Sequence, residues 1–150
     1  MKSRALTAIA LLFASAALAD DDPNKTVKYR AQVMSGVGAH MGASATIVKG
    51  EVGRVEDLKV HARAMADAAT YFDQLFPKGT GPDATKTEAL PKVWDDWEGF
   101  VKANDAFEEA SKAFVEAAET GDMAKIKPAF GKLGKSCGGC HDNYKKDDDH

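Results

Sequence analysis

Cys137 and Cys140 stand three positions apart, and His141 follows the second of them directly, in the run Cys137-Gly138-Gly139-Cys140-His141. Two thiols at this spacing can add across the two vinyl groups on one edge of haem. The adjacent imidazole can then reach the iron from one face. Gly138 and Gly139 leave little side-chain bulk between the attachment points. Other chemistries for the pair fit less well. A redox-active CxxC sits where a strand feeds a helix N-terminus that lowers a thiol pKa, whereas this motif lies late in a helical pattern. A structural zinc ion asks for four ligands, and His40, His61 and His150, the other histidines, have no paired spacing. His40 and His61 read as surface residues. A disulfide framework ties distant segments together, and a bridge between these two cysteines would close only a tiny loop. The motif therefore predicts one covalently attached haem c, with Cys137 and Cys140 as attachment points and His141 as an axial ligand.

The elements that must position this group follow from the apolar spacing. Four segments alternate steps of four and three: Val27, Ala31, Met34, Gly38, Met41, Ala45 and Val48; then Leu58, Ala62, Met65, Ala69, Phe72 and Phe76. The third runs Val93, Trp97, Phe100, Asn104, Phe107, Ser111, Phe114 and Ala118, and the fourth Ile126, Phe130, Leu133, Cys137, Cys140 and Tyr144. This period marks one buried seam per helix, as in antiparallel bundles. Gly50 and Gly53 separate the first two segments, Pro77 to Pro91 makes a longer loop, and Thr120-Gly121-Asp122 combines a stop with an N-cap. No strand-length alternation of period two occurs. The fold expected is all-α, an antiparallel four-helix bundle with haem in its core. Both cysteines fall on the seam of the last helix. Pro128 lies inside that helix and removes a backbone hydrogen bond, so a kink or a late start is expected there.

The bundle, the C-terminal CxxCH and the opening Val27-Lys28-Tyr29-Arg30 resemble the class II cytochromes c, meaning cytochrome c′ and its low-spin relatives. The likeness spans essentially the whole mature chain, including Phe76-Pro77 and Cys140-His141-Asp142-Asn143-Tyr144. It implies thioethers at Cys137 and Cys140 and proximal ligation by His141. It places Arg30 near the haem propionates, where the alternative is a solvated first-turn charge. It puts Met34 over the distal side of the iron, as a ligand in the low-spin relatives or as a core filler in five-coordinate members. Met41 and Met65 read as core. Trp97 lies on the seam and Trp94 reads as partly exposed. Lys145 stands where cytochromes c′ commonly carry an arginine, and lysine lacks the planar fork of that residue. The resemblance also implies a homodimer through the first two helices in cytochromes c′, and a monomer in the low-spin members.

The first residues form a separate unit. Lys2 and Arg4 precede an apolar run from Ala5 to Leu18, and Ala17-Leu18-Ala19 supplies small residues for cleavage. This reads as a signal peptide over residues 1–19, with Ala14-Ser15-Ala16 a weaker cleavage site; the run is short for a membrane span. The mature domain is then residues 20–150, where 18 basic residues face 23 acidic ones. A net charge of about −5 gives nucleic acid and anionic lipid no electrostatic hold. No later segment is apolar enough to span a membrane, so a periplasmic protein is expected. Two functions remain open: a one-electron carrier with His141/Met34 coordination and periplasmic redox partner proteins, or a five-coordinate protein binding nitric oxide or carbon monoxide. An enzyme is not expected, because no nucleophile–base–orienter set is present.

Overall fold

The computed structural model describes residues 22–146; the signal-peptide expectation, His150 and the acidic tail lie outside them. Five helices follow in chain order: α1 (Pro23–Val48), α2 (Leu58–Ala69), the single-turn α3 (Lys92–Asp95), α4 (Trp97–Glu119) and α5 (Met123–Tyr144). The four long ones form the expected bundle. Three of the long helices start at a capping aspartate. Asp22, Asp96 and Asp122 accept backbone N–H bonds from Asn24, Gly99 and Ala124, and Pro23 occupies the first turn of α1, where a missing N–H costs nothing. Gly50 and Gly121 take the left-handed conformation in the turns at one end of the bundle (φ +80° and +65°). Arg63 of α2 pairs there with Glu119 of α4.

The core divides into two clusters along the bundle axis. One packs Leu58, Met65, Phe114, Ile126 and Leu133, all essentially inaccessible to water. The other gathers Phe72, Leu75, Phe76, Val93, Phe100 and Tyr144. In the latter, Phe76 and Phe100 meet edge to face at 4.7 Å, and Phe100 and Tyr144 at 5.4 Å, geometries that add to the value of area burial.

Three sequence expectations are corrected in detail. The buried stripe of α1 is Arg30, Val37, Ser44 and Ile47, with Val33, Met34, Met41 and Val48 half-buried, whereas Ala31 and Gly38 are exposed. Small residues carry little packing preference, and the larger side chains set the face. The second helix ends at Ala69 and continues as a turn with a 3₁₀ segment, Asp73–Leu75; Phe72 and Phe76 keep the periodicity by packing on the second cluster. Trp97 leaves the expected seam, while Trp94 is partly exposed as expected. Asp96 leaves the helical region (φ −123°, ψ 56°), which re-phases the chain between α3 and α4. Trp97 is then 40 % exposed, while Trp94 is half-buried and its indole N–H donates to the carbonyls of Phe76 (3.1 Å) and Pro77 (3.2 Å). α5 runs through Pro128 as one helix.

Candidate functional site

At the second cluster the bundle opens into a cavity of about 470 Å³. Its walls come from every part of the chain: Met34 from α1, Phe72 and Phe76 from the end of the second segment, Phe100 from α4, Cys140 and His141 from α5. Most of this lining is apolar. The cations Arg30, Lys86 and Lys145 also line the cavity. The long loop forms one side and is tied to the end of α5. Leu90 N–H donates to the Tyr144 carbonyl (2.9 Å), Lys146 N–H to the Glu88 carbonyl (2.8 Å), and Lys146 Nζ to the Thr87 carbonyl (2.8 Å). Ala89 and Lys145 form an isolated antiparallel bridge.

Arg30 is 5 % exposed. Its guanidinium donates to the Leu75 carbonyl (3.2 Å), the Thr80 hydroxyl (3.2 Å), the Thr80 carbonyl (3.2 Å) and the Thr87 hydroxyl (2.8 Å). It also lies 4.3 Å from the centre of the Phe76 ring. None of the four acceptors is charged. Burial lowers its pKa to about 10, so the group stays cationic at neutral pH. A buried cation held by neutral dipoles at a cavity wall suits an anionic ligand group. Sequence reasoning missed Thr80 and Thr87, because the loop has no periodicity; its threonine content was the only available signal.

The two thiols divide between the clusters. Cys137 packs against the first and Cys140 against the second, both half-buried and unbridged. Burial pushes both thiols up, Cys140 to about 11 with a further push from Cys137. Thiol-exchange catalysts need the opposite shift. Among the described residues no cluster of three His, Cys, Asp or Glu forms a metal cage. An apolar cavity lined by the Cys140 thiol and the His141 imidazole, with Cys137 one turn away, the Met34 thioether from another helix and cations alongside, fits a porphyrin with two carboxylates, and not a thiol-redox or zinc site. The family model described as Cytochrome C' matches residues 25–145.

The chain belongs to the cytochrome c′ family. It is 36 % identical over 124 residues to the cytochrome c′ of Pararhodospirillum photometricum, covering 83 % of this chain and 98 % of that one. The solved cytochrome c prime from Shewanella frigidimarina superposes with a TM-score of 0.78 at 32 % identity, over 85 % of this chain and 98 % of that one. A nitric oxide complex of a mutant cytochrome c prime from Alcaligenes xylosoxidans gives 0.75 at 29 % identity, with the same coverage. As a cytochrome c′ family member the protein carries covalent haem c, and Cys137 and Cys140 supply the two cysteines of its CxxCH motif. The cavity brings together Arg30, Met34, Cys140 and His141, four of the five residues singled out in the sequence. Cys137 lies one helical turn before Cys140, against the neighbouring cluster.

Proposed function

We propose that the protein is a periplasmic one-electron carrier, exported by a signal peptide over residues 1–19. Its haem c is joined to Cys137 and Cys140 by thioethers and ligated by His141 and Met34. The observation that carries this reading is the position of Met34. Its side chain is half-buried, packs against both core clusters, and lines the same cavity as Cys140 and His141.

When bound, the haem supplies a one-electron iron couple. The chain's residues set its character. A neutral thioether from Met34 together with the His141 imidazole would favour a high potential, and two ligands fixed by the protein would leave little to rearrange on electron transfer. Phe72, Phe76 and Phe100 keep water from the apolar wall. Arg30, already desolvated and fixed by the loop, offers a guanidinium to a propionate carboxylate. Among the described residues no helix is long and apolar enough to cross a membrane.

A second reading has its own support in the similarity to the nitric oxide complex described above. There Met34 would be a distal plug over a five-coordinate site open to nitric oxide or carbon monoxide. Absorption spectra separate the two. Met34 ligation gives low-spin iron and a sulfur-to-iron charge-transfer band in the oxidised protein. Met34→Ala then abolishes the band, produces high-spin iron, lowers the reduction potential and admits carbon monoxide. An unmutated protein that is already high-spin and binds these gases overturns the carrier reading.

A further inference from the structure

His40 and His61 were expected to be separate surface residues. The structure places them together. His40 on α1 and His61 on α2 are both half-buried, with Nδ1 atoms 2.9 Å apart and ring centroids 5.2 Å apart. Such a contact needs one nitrogen to donate and the other to accept, so the pair holds together only while at least one Nδ1 keeps its lone pair. We propose that this pair is a second metal site, a two-histidine chelate for a divalent copper ion that clips α1 to α2.

The geometry selects the metal. Imidazole nitrogens bind first-row divalent ions at about 2.0–2.1 Å, and two such nitrogens 2.9 Å apart subtend about 90° at the metal. That is the cis angle of a tetragonal site, the preference of Cu(II) and Ni(II), whereas a tetrahedral ion would hold its ligands further apart. Between these two the affinity order favours copper. In the hydrogen-bonded pair one Nδ1 carries the proton and the other the lone pair, so binding an ion requires that proton to move to Nε2 or to solvent and each ring to turn about χ2, a soft torsion for histidine.

The surroundings leave room for the remaining ligands. Gly36 is one helical turn before His40, on the same face of α1, and a Cβ there would meet nothing within 4 Å. Asp57 stands one turn before His61. Its carboxyl is held below the usual range mainly by Arg54, with His61 adding to the effect, so a carboxylate is at hand to favour added positive charge. No third His, Cys, Asp or Glu completes a cage among the described residues. The other equatorial positions therefore go to water, and the site is open and exchangeable.

The test is titration of the oxidised haem protein with Cu(II) at neutral pH, followed by calorimetry and electron paramagnetic resonance. One ion per chain should bind, with an axial copper spectrum carrying hyperfine splitting from two nitrogens, and with affinity at least tenfold above that for Zn(II). His40→Ala or His61→Ala should each weaken binding at least tenfold and remove the two-nitrogen pattern. His150→Ala should change neither. An unaltered haem spectrum and thermal transition in each variant establish that it is folded; should either alanine variant fail that check, His40→Asn and His61→Asn serve in its place. Copper binding that survives both histidine substitutions, disappears with His150→Ala, or shows one nitrogen in the parent protein overturns the proposal.

Discussion

Replacing Arg30 measures how the loop is held against the bundle. Four bonds are lost in Arg30→Ala, but they are not equivalent. The Thr80 hydroxyl also donates to the Pro77 carbonyl (2.8 Å), and the Thr87 hydroxyl also accepts from Ala89 N–H (3.1 Å), so both keep a partner. The carbonyls of Leu75 and Thr80 lose the guanidinium. An unsatisfied buried acceptor costs about 1–3 kcal/mol, and water taking the space the shortened side chain vacates favours the low end, about 2 kcal/mol for both. Contact with the Phe76 face adds roughly 1 kcal/mol. Against this, the variant no longer desolvates a cation, an effect that can cancel much of what a buried charge contributes. The net expectation is a loss of about 2 kcal/mol, which for a domain of this size lowers the thermal midpoint of the haem form by roughly 6–10 °C. Thermal unfolding followed by far-ultraviolet circular dichroism checks it, with Arg30→Met as the comparison that keeps most of the side-chain stem. If Arg30→Met is as stable as the parent, the bonds to the loop do not outweigh the burial of the charge, and the reasoning fails.

Four further outcomes are expected. Haem should stay with the polypeptide through acid-acetone extraction, and Cys140→Ala should mature poorly with one thioether at most; free haem released from correctly matured protein would contradict attachment at both cysteines. Haem-free protein should lose its cooperative transition, because an apolar cavity of about 470 Å³ left without its haem forfeits the burial that completes the second cluster in a small domain; a sharp transition at the same temperature as the haem form would exclude this. At Gly99, an added Cβ would fall 2.6 Å from the Tyr144 hydroxyl and onto the Asp96 carboxylate, the two groups that share a 2.9 Å hydrogen bond. Gly99→Ala should therefore destabilise by about 1–3 kcal/mol despite its better helix propensity. Burial and then the bond to Asp96 raise the Tyr144 pKa, so its neutral form favours the fold. That contribution is complete below about pH 10 and lost above it; in alkaline unfolding, Tyr144→Phe should give a shallower fall.

The amount legible in the sequence differed by element. Leu58, Met65, Phe114, Ile126 and Leu133 are large, regularly spaced and fully buried, so periodicity located three of the four long helices correctly by face. On α1 the seam was filled with alanine and glycine, and the true face, led by Arg30 and Val37, could not be separated from its neighbour. The cavity residues Met34, Cys140 and His141 were found through the motif and the family likeness. The support around Arg30 was not, since it depends on how a loop of irregular backbone folds back over 45 to 57 positions. His40 and His61 failed for the same reason at 21 positions apart, because no helical spacing records a contact made between two helices. Asp96 shows how one capping residue can shift a pattern. Its side chain starts α4 afresh, and the periodic count through Trp97 is broken there.

The two ends of the described chain meet at the cavity, since Val27 and Arg30 near the start of α1 line it together with Tyr144 and Lys145. The turns around Gly50 and Gly121 lie at the opposite end of the bundle. A circularly permuted chain could therefore be made by bridging residues 22 and 146 with a flexible linker and opening the backbone between Gly50 and Gly53, both exposed. In such a chain the CxxCH segment would sit in the middle, followed by the linker and then by the helix carrying Arg30 and Met34. The two walls of the haem pocket, made first and last in the natural order, would then be made consecutively. The entropy of closing a loop of more than a hundred residues, about 4 kcal/mol by the usual logarithmic law, would be replaced at this contact by that of a much shorter one. Haem maturation would no longer have to wait for the chain's end to find its beginning.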